Sequence, residues 1–190
     1  MKRAKKVHVP FDRPLALEEY DELSRHAYNS ALYYTMNYGR NSNQIREKLY
    51  MKGYPKESVS VAQSDGTTTS HDMVEECIQK LKDLLILDDF SLAINRAESL
   101  LRQGKGVTVI RSKLYEQKFS MEQVNHALDE VLKDEGAEQD ALNRVGSKLL
   151  HSSSFQKLDT VKARQKAVRH LVGRGFSMSD VMNWVSKNFD

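Results

Sequence analysis

One segment occurs three times in this chain, and that repetition limits what the chain can fold into more than any other feature. Residues 45–59 read IREKLYMKGYPKESV, residues 110–124 read IRSKLYEQKFSMEQV and residues 167–181 read AVRHLVGRGFSMSDV. In each copy an apolar residue (Ile45, Ile110, Ala167) is followed four positions later by leucine (Leu49, Leu114, Leu171). An aromatic comes next (Tyr54, Phe119, Phe176), then a valine (Val59, Val124, Val181). Self-similarity at a spacing of about 60 residues describes an array of like modules rather than one catalytic core. Such arrays present long surfaces to extended partners, so binding is expected ahead of catalysis.

Each copy reads as helix, tight turn, helix. In the second, Val107, Ile110 and Leu114 share one helix face, and the chain turns through Gln117 and Lys118. Ser120 with Gln123 three residues on forms a capping box, and Phe119 with Val124 a hydrophobic staple. The third copy repeats this with Ser177, Asp180, Phe176 and Val181, and Gly175 supplies the helix stop. The first keeps Gly53, Tyr54 and Val59 but has Pro55 in the cap slot. A helix–turn–helix corner can read DNA, but most are only helical packing. The segment after Ser120 carries Glu122, Asp129, Glu130, Asp134 and Glu135, which would repel a phosphate backbone, so packing is the expected role.

The expected organisation is a flexible basic arm (1–16), then three modules at 17–87, 88–135 and 136–190. Residues 60–71, SVAQSDGTTTSH, are polar and poor in large apolar groups and read as a loop inserted in module one. Asp88 and Asp89 read as N-cap residues of the following helix rather than as metal ligands, since no third ligand is near in sequence. Cys77 is the single cysteine; it lies among Val74, Ile78 and Leu81 and reads as a buried thiol in a reducing cytoplasm. No apolar run is long enough to span a bilayer, so no membrane partner is expected.

Catalytic patterns are missing. No HExxH, CxxC, P-loop or GxSxG string appears, and the six histidines are scattered without metal-ligand spacing. Gly104-Lys105-Gly106 does not follow a strand, so it closes one helix and opens the next rather than cradling a phosphate. No enzyme, cofactor or metal is expected.

Charge is informative in its distribution. The formal net charge is only +3, yet basic clusters recur near the repeats: Arg46, Lys48 and Lys52; Lys105, Arg111 and Lys113; and Lys162, Lys166, Arg169 and Arg174. Lys162, Lys166 and Arg169 are spaced i, i+4 and i+7 and share one helix face, with Val161, Val168, Leu171 and Val172 on another. Any one cluster is simply a solvated face; three at equivalent positions describe an electropositive band that would bind phosphates without reading sequence.

These residues resemble the RecX family, the bacterial regulators of the RecA recombinase. The resemblance is carried by Ala31-Leu32 with Tyr34, Ser42 followed by Ile45 and Leu49, and Lys52-Gly53-Tyr54. It continues through Leu87-Asp88-Asp89 with Ala93, Gly104-Lys105-Gly106 before Ile110 and Leu114, and Arg174-Gly175-Phe176-Ser177. Their order across three repeats makes the match. Lys118 stands where a glycine is usual, and Tyr38 where a basic residue is common. The resemblance implies an all-α fold of tandem three-helix units forming an elongated, curved molecule. It also implies a non-enzymatic role: binding in the groove of the RecA filament on single-stranded DNA and damping recombinase, ATPase and co-protease activity. Lys105, Arg111, Lys113, Lys162, Lys166, Arg169 and Arg174 are the candidate partner- or DNA-binding residues, and a monomer is the simplest expectation. The alternative is a stand-alone helical repeat protein that binds DNA without sequence preference.

Overall fold

The computed structural model describes residues 11–134 and 136–189. Most of the basic arm and Glu135 therefore lie outside the described residues. The chain divides into two compact units, Met1–Asp89 and Phe90–Asp190.

In the first unit, β1 (Leu15–Ala16) leads into α1 (Leu17–Tyr38), α2 (Ser42–Met51), β2 (Val59–Ala62), β3 (Thr68–His71) and α3 (Met73–Asp83). Two expectations are corrected here. Residues 60–71 are not a loop but most of an antiparallel hairpin, with Val59 paired to His71 and Ala62 to Thr68. Its signal was the alternation Val59-Ser60-Val61-Ala62, whose valines are buried and whose alternate residues are exposed. Asp65-Gly66 makes the turn: the Asp65 carboxylate accepts from the Thr67 N–H and hydroxyl, and Gly66 takes φ +83°. The end of the arm is also structured, because Leu15, fully buried, pairs in parallel with Val61.

The first repeat copy consequently departs from the other two. Its helix ends at Lys52 and Gly53, but after Pro55 the chain enters β2 instead of a second helix, so Val59 occupies a strand. Without a capping serine, the β-branched alternation decides the local structure. Asp89 is a further correction. It opens the helix that follows, but its carboxylate accepts from the backbone N–H and the hydroxyl of Ser42, at 2.8 and 2.5 Å. It therefore caps the start of α2, alongside Asn41, which accepts from Gln44 N. Only 6% of Asp89 is exposed, and Lys82 lies 3.5 Å from its carboxylate.

The second unit, from Phe90 on, holds the rest of α4 (Asp89–Arg102) and then α5 (Val107–Glu116), α6 (Met121–Val131), α7 (Ala137–Leu150), the single turn α8 (Ser153–Gln156), α9 (Thr160–Gly173) and α10 (Met178–Phe189). Here the repeat signals fold as the sequence predicts. Ser120 and Gln123 form the complete capping box of α6. Ser177 accepts from Asp180 N at 3.1 Å and donates to its carboxylate. Phe119, Val124, Phe176 and Val181 are buried in one shared core with Ile110, Leu114, Leu142, Leu171 and Trp184.

Lys118 occupies the turn before α6 with φ +67°, in the left-handed region that glycine usually fills. Lys118→Gly is expected to raise stability by about 1 kcal/mol through relief of Cβ strain. Thermal unfolding followed by circular dichroism should show a Tm several degrees higher, on the order of 4–8 °C per kcal/mol for a unit of this size.

Candidate nucleic-acid and partner interface

The interface candidates lie on α9 (Lys162, Lys166, Arg169), on Arg174 just past its end, on α5 (Arg111, Lys113) and on Lys105 in the turn before it. Asp159 caps α9 by accepting from Lys162 N, and its carboxylate also holds the Lys162 ammonium at 2.9 Å. Lys166 lies over the Phe155 ring, 5.8 Å from its centroid. Arg169 is exposed one turn further on. The buried side of α9 is formed by Ala163, Ala167 and Leu171 rather than by the valines the sequence suggests. Val161 is 66% exposed. Small alanines allow close helix packing there and leave Val168 and Val172 as a half-buried row at the outer edge of the core.

That outward row makes a surface the sequence reading missed. Val168 and Val172 of α9 face Met178 and Met182 of α10 across an open groove of about 670 Å³ edged by Arg164 and Arg169. The methionines at i and i+4 were its sequence signal, hidden because such spacing reads equally well as core.

Arg174 is tied into the fold. Its Nη1 donates to the carbonyls of Gln103 (3.1 Å) and Gly104 (3.3 Å), acceptors at the C-terminal end of α4. Its Nε donates to His170 Nε2 at 3.1 Å. Around this imidazole the structure gathers Arg174, Lys166 and Lys105, and partial burial together with their positive charge holds the His170 pKa below its ordinary value. The structure thus brings Lys105, Lys166 and Arg174 into one electrostatic neighbourhood. Arg111 turns instead to Asn125 of α6, 2.7 Å away, and Lys113 is half-buried in the last turn of α5. In the first unit, Arg46 is not a free cation, since it makes a two-point ion pair with Glu75 whose carboxyl it holds below the usual range.

His170 has a consequence for pH. As pH falls through about 6.5 the unfolded chain takes up this proton before the folded one, so stability declines on the acid side. Urea midpoints for the native chain should fall between about pH 7.5 and about pH 5.5, and His170→Gln, which keeps an acceptor but cannot titrate, should flatten that dependence.

The turns themselves are junctions between repeats. Gly106 N donates to Arg174 O at 2.9 Å, Thr108 N to Gly175 O at 3.3 Å, and Val107 N to the Glu138 carboxylate at 3.0 Å. The first N–H groups of α5, which no side chain of its own N-cap serves, are thus satisfied by the last repeat. Gly104 ends α4 at φ +73° and Gly106 opens α5, as the sequence implied for this non-cradle. Cys77 is buried, and burial pushes its thiol up to about 11, which suits a core thiol and not a nucleophile. Among the described residues, no three His, Cys, Asp or Glu side chains gather to hold a metal, and no helix is long and apolar enough to cross a membrane.

Fold and site together define an all-α protein of tandem three-helix repeats whose repeat turns interlock and whose last repeat carries a cationic face. Residues 137–185 match the family model of the RecX third three-helix domain. The fold is that of a crystal structure of the regulatory protein RecX, with 19% identity, a TM-score of 0.67, and 89% of this chain and 74% of that one covered. It is also that of RecX from Lactobacillus salivarius, with 20% identity, a TM-score of 0.70, and coverage of 90% and 98%. No curated protein sequence matches the chain. The resemblance to the RecX family is thereby borne out, by the family model in the last repeat and by the fold along most of the chain.

Proposed function

We propose that this chain is a non-enzymatic regulator that binds the RecA filament on single-stranded DNA and damps its ATPase, strand-exchange and co-protease activities. The observation that carries this reading is the match of residues 137–185 to the RecX third domain, in the same repeat that bears Lys162, Lys166 and Arg169. A cationic face on a helical repeat suits a groove walled by protein with a phosphate backbone beneath. In this mechanism one monomer wedges between neighbouring recombinase subunits in the cytoplasm and opposes the motions that ATP hydrolysis requires. Lys105, Arg111, Lys113, Lys162, Lys166, Arg169 and Arg174 are the electrostatic contacts of the proposal, with Arg174 acting partly by holding the turn.

The test is the single-strand-DNA-dependent ATPase of the cognate RecA, titrated with this protein at physiological salt. Inhibition at substoichiometric protein is the expected result. No inhibition, together with clear binding to naked DNA, would replace this reading with that of a stand-alone DNA-binding repeat protein.

A further inference from the structure

The first unit holds a surface that the proposal above does not use. Four of the chain's eight tyrosines fall within residues 28–38. Tyr33, Tyr34 and Tyr38 form a cluster at the C-terminal end of α1, with ring centroids 5.9, 5.7 and 6.2 Å apart. The Arg40 guanidinium sits 5.7 Å from the Tyr34 centroid and 5.5 Å from that of Tyr38, and the Lys52 ammonium 5.0 Å from Tyr34. Tyr33 and Tyr38 remain 43% and 49% exposed, and Met36 beside them is 71% exposed.

A core role would bury these rings, and a solvated face would not assemble three of them. Two further observations point to an anionic ligand with flat faces. From Leu23 through Ile45 the sequence contains no carboxylate, while it carries Arg25 and Arg40. The Arg40 Nε is shielded from water and has no hydrogen-bond partner among the described residues. An unpaired buried donor is costly, so Arg40 gains by moving to an acceptor, and a phosphate oxygen is a strong one. Aromatic faces beside cations bind unpaired bases by stacking, with little regard to sequence. Bases inside a duplex are already stacked and out of reach.

We infer that Tyr33 and Tyr38, with Arg40 and Lys52, form a stacking platform for the unpaired bases of single-stranded nucleic acid. The platform lies wholly in the first unit and needs no recombinase, so it stands apart from the filament reading. Tyr34, held between Arg40 and Lys52, positions the two cations. Tyr33 and Tyr38 offer ring surface to the bases.

The test uses the full chain and a short oligothymidylate carrying 5-iodouracil, crosslinked by ultraviolet light and digested with trypsin. No Lys or Arg lies between Arg25 and Arg40, so His26–Arg40 is released as one peptide containing Tyr28, Tyr33, Tyr34 and Tyr38. The adduct is expected on that peptide. By fluorescence anisotropy, the double variant Tyr33→Ala/Tyr38→Ala should bind the oligonucleotide roughly tenfold or more weakly, while Tyr33→Phe/Tyr38→Phe stays within about twofold of the native chain. Adducts only outside residues 26–40, no binding by the native chain, or a phenylalanine pair as weak as the alanine pair would each overturn the platform. Should the alanine pair unfold, the crosslink on the native chain still decides. A folded alanine pair that loses the oligonucleotide yet still inhibits the recombinase ATPase supports the platform and separates it from the filament reading.

Discussion

A chain carrying Lys162→Glu, Lys166→Glu and Arg169→Glu is expected to lose inhibition of the recombinase ATPase, with the half-inhibitory concentration rising more than about tenfold. The three exchanges reverse the face of α9 and change the formal net charge from +3 to −3. Lys162 and Arg169 are exposed, and α9 buries Ala163, Ala167 and Leu171, so of the three only Lys166, half-buried over the Phe155 ring, gives up a core contact. The Lys162–Asp159 pair is exposed and contributes little to stability, so the fold should persist. Salt dependence provides a second readout. Each phosphate contact on a single strand contributes about 0.7 to the slope of log affinity against log salt, so loss of three contacts should flatten it by roughly 2. A glutamine version of the triple variant separates lost attraction from introduced repulsion. Unchanged inhibition and slope in both would remove α9 from the interface.

Gly106→Ala is expected to cost about 3 kcal/mol, since overpacking against backbone and loss of hydrogen bonds act together. A Cβ at this position would stand 2.3 Å from the Gly175 carbonyl carbon and oxygen and 2.4 Å from Phe176 N. These are backbone atoms, which cannot swing aside as a side-chain tip can. Separating the turns would break Gly106 N to Arg174 O and Thr108 N to Gly175 O and leave N–H groups of α5 unserved. For a unit of about this size, the Tm should fall by roughly 15 °C. Gly173→Ala is the control: nothing lies within 4 Å of its added Cβ, so its Tm should hold or rise slightly. A Gly106→Ala chain that melts with the native one would show that the two turns do not depend on close contact.

The residues that carry the family resemblance prove to be largely structural. Ser42 and Asp89 meet in a buried hydrogen-bonded pair, and the glycines of Gly104-Lys105-Gly106 and Arg174-Gly175 meet at a repeat junction. The cationic residues are more loosely placed, because surface charge leaves no periodic trace that separates a contact from a solvated face. The spacing of Lys162, Lys166 and Arg169 was legible because it is local to one helix. The gathering of Lys105 with Lys166 and Arg174 around His170 was not, because Lys105 lies about 60 positions earlier in the chain.

By itself, the sequence determined what depends on a few consecutive residues. The caps at Ser120 and Ser177, the stops at Gly104 and Gly175, and the apolar faces of α5 and α6 follow from local hydrogen bonding and helical period. Tertiary structure decided the rest. It turned residues 59–71 into a hairpin, since Val61 gains a partner in Leu15, far earlier in the chain. It sent the Asp89 carboxylate to α2, where a buried helix start needs an acceptor, and set Arg174 on the end of α4. In each case a backbone group that secondary structure leaves unpaired is satisfied by a residue distant in sequence, and only the folded chain shows which residue that is.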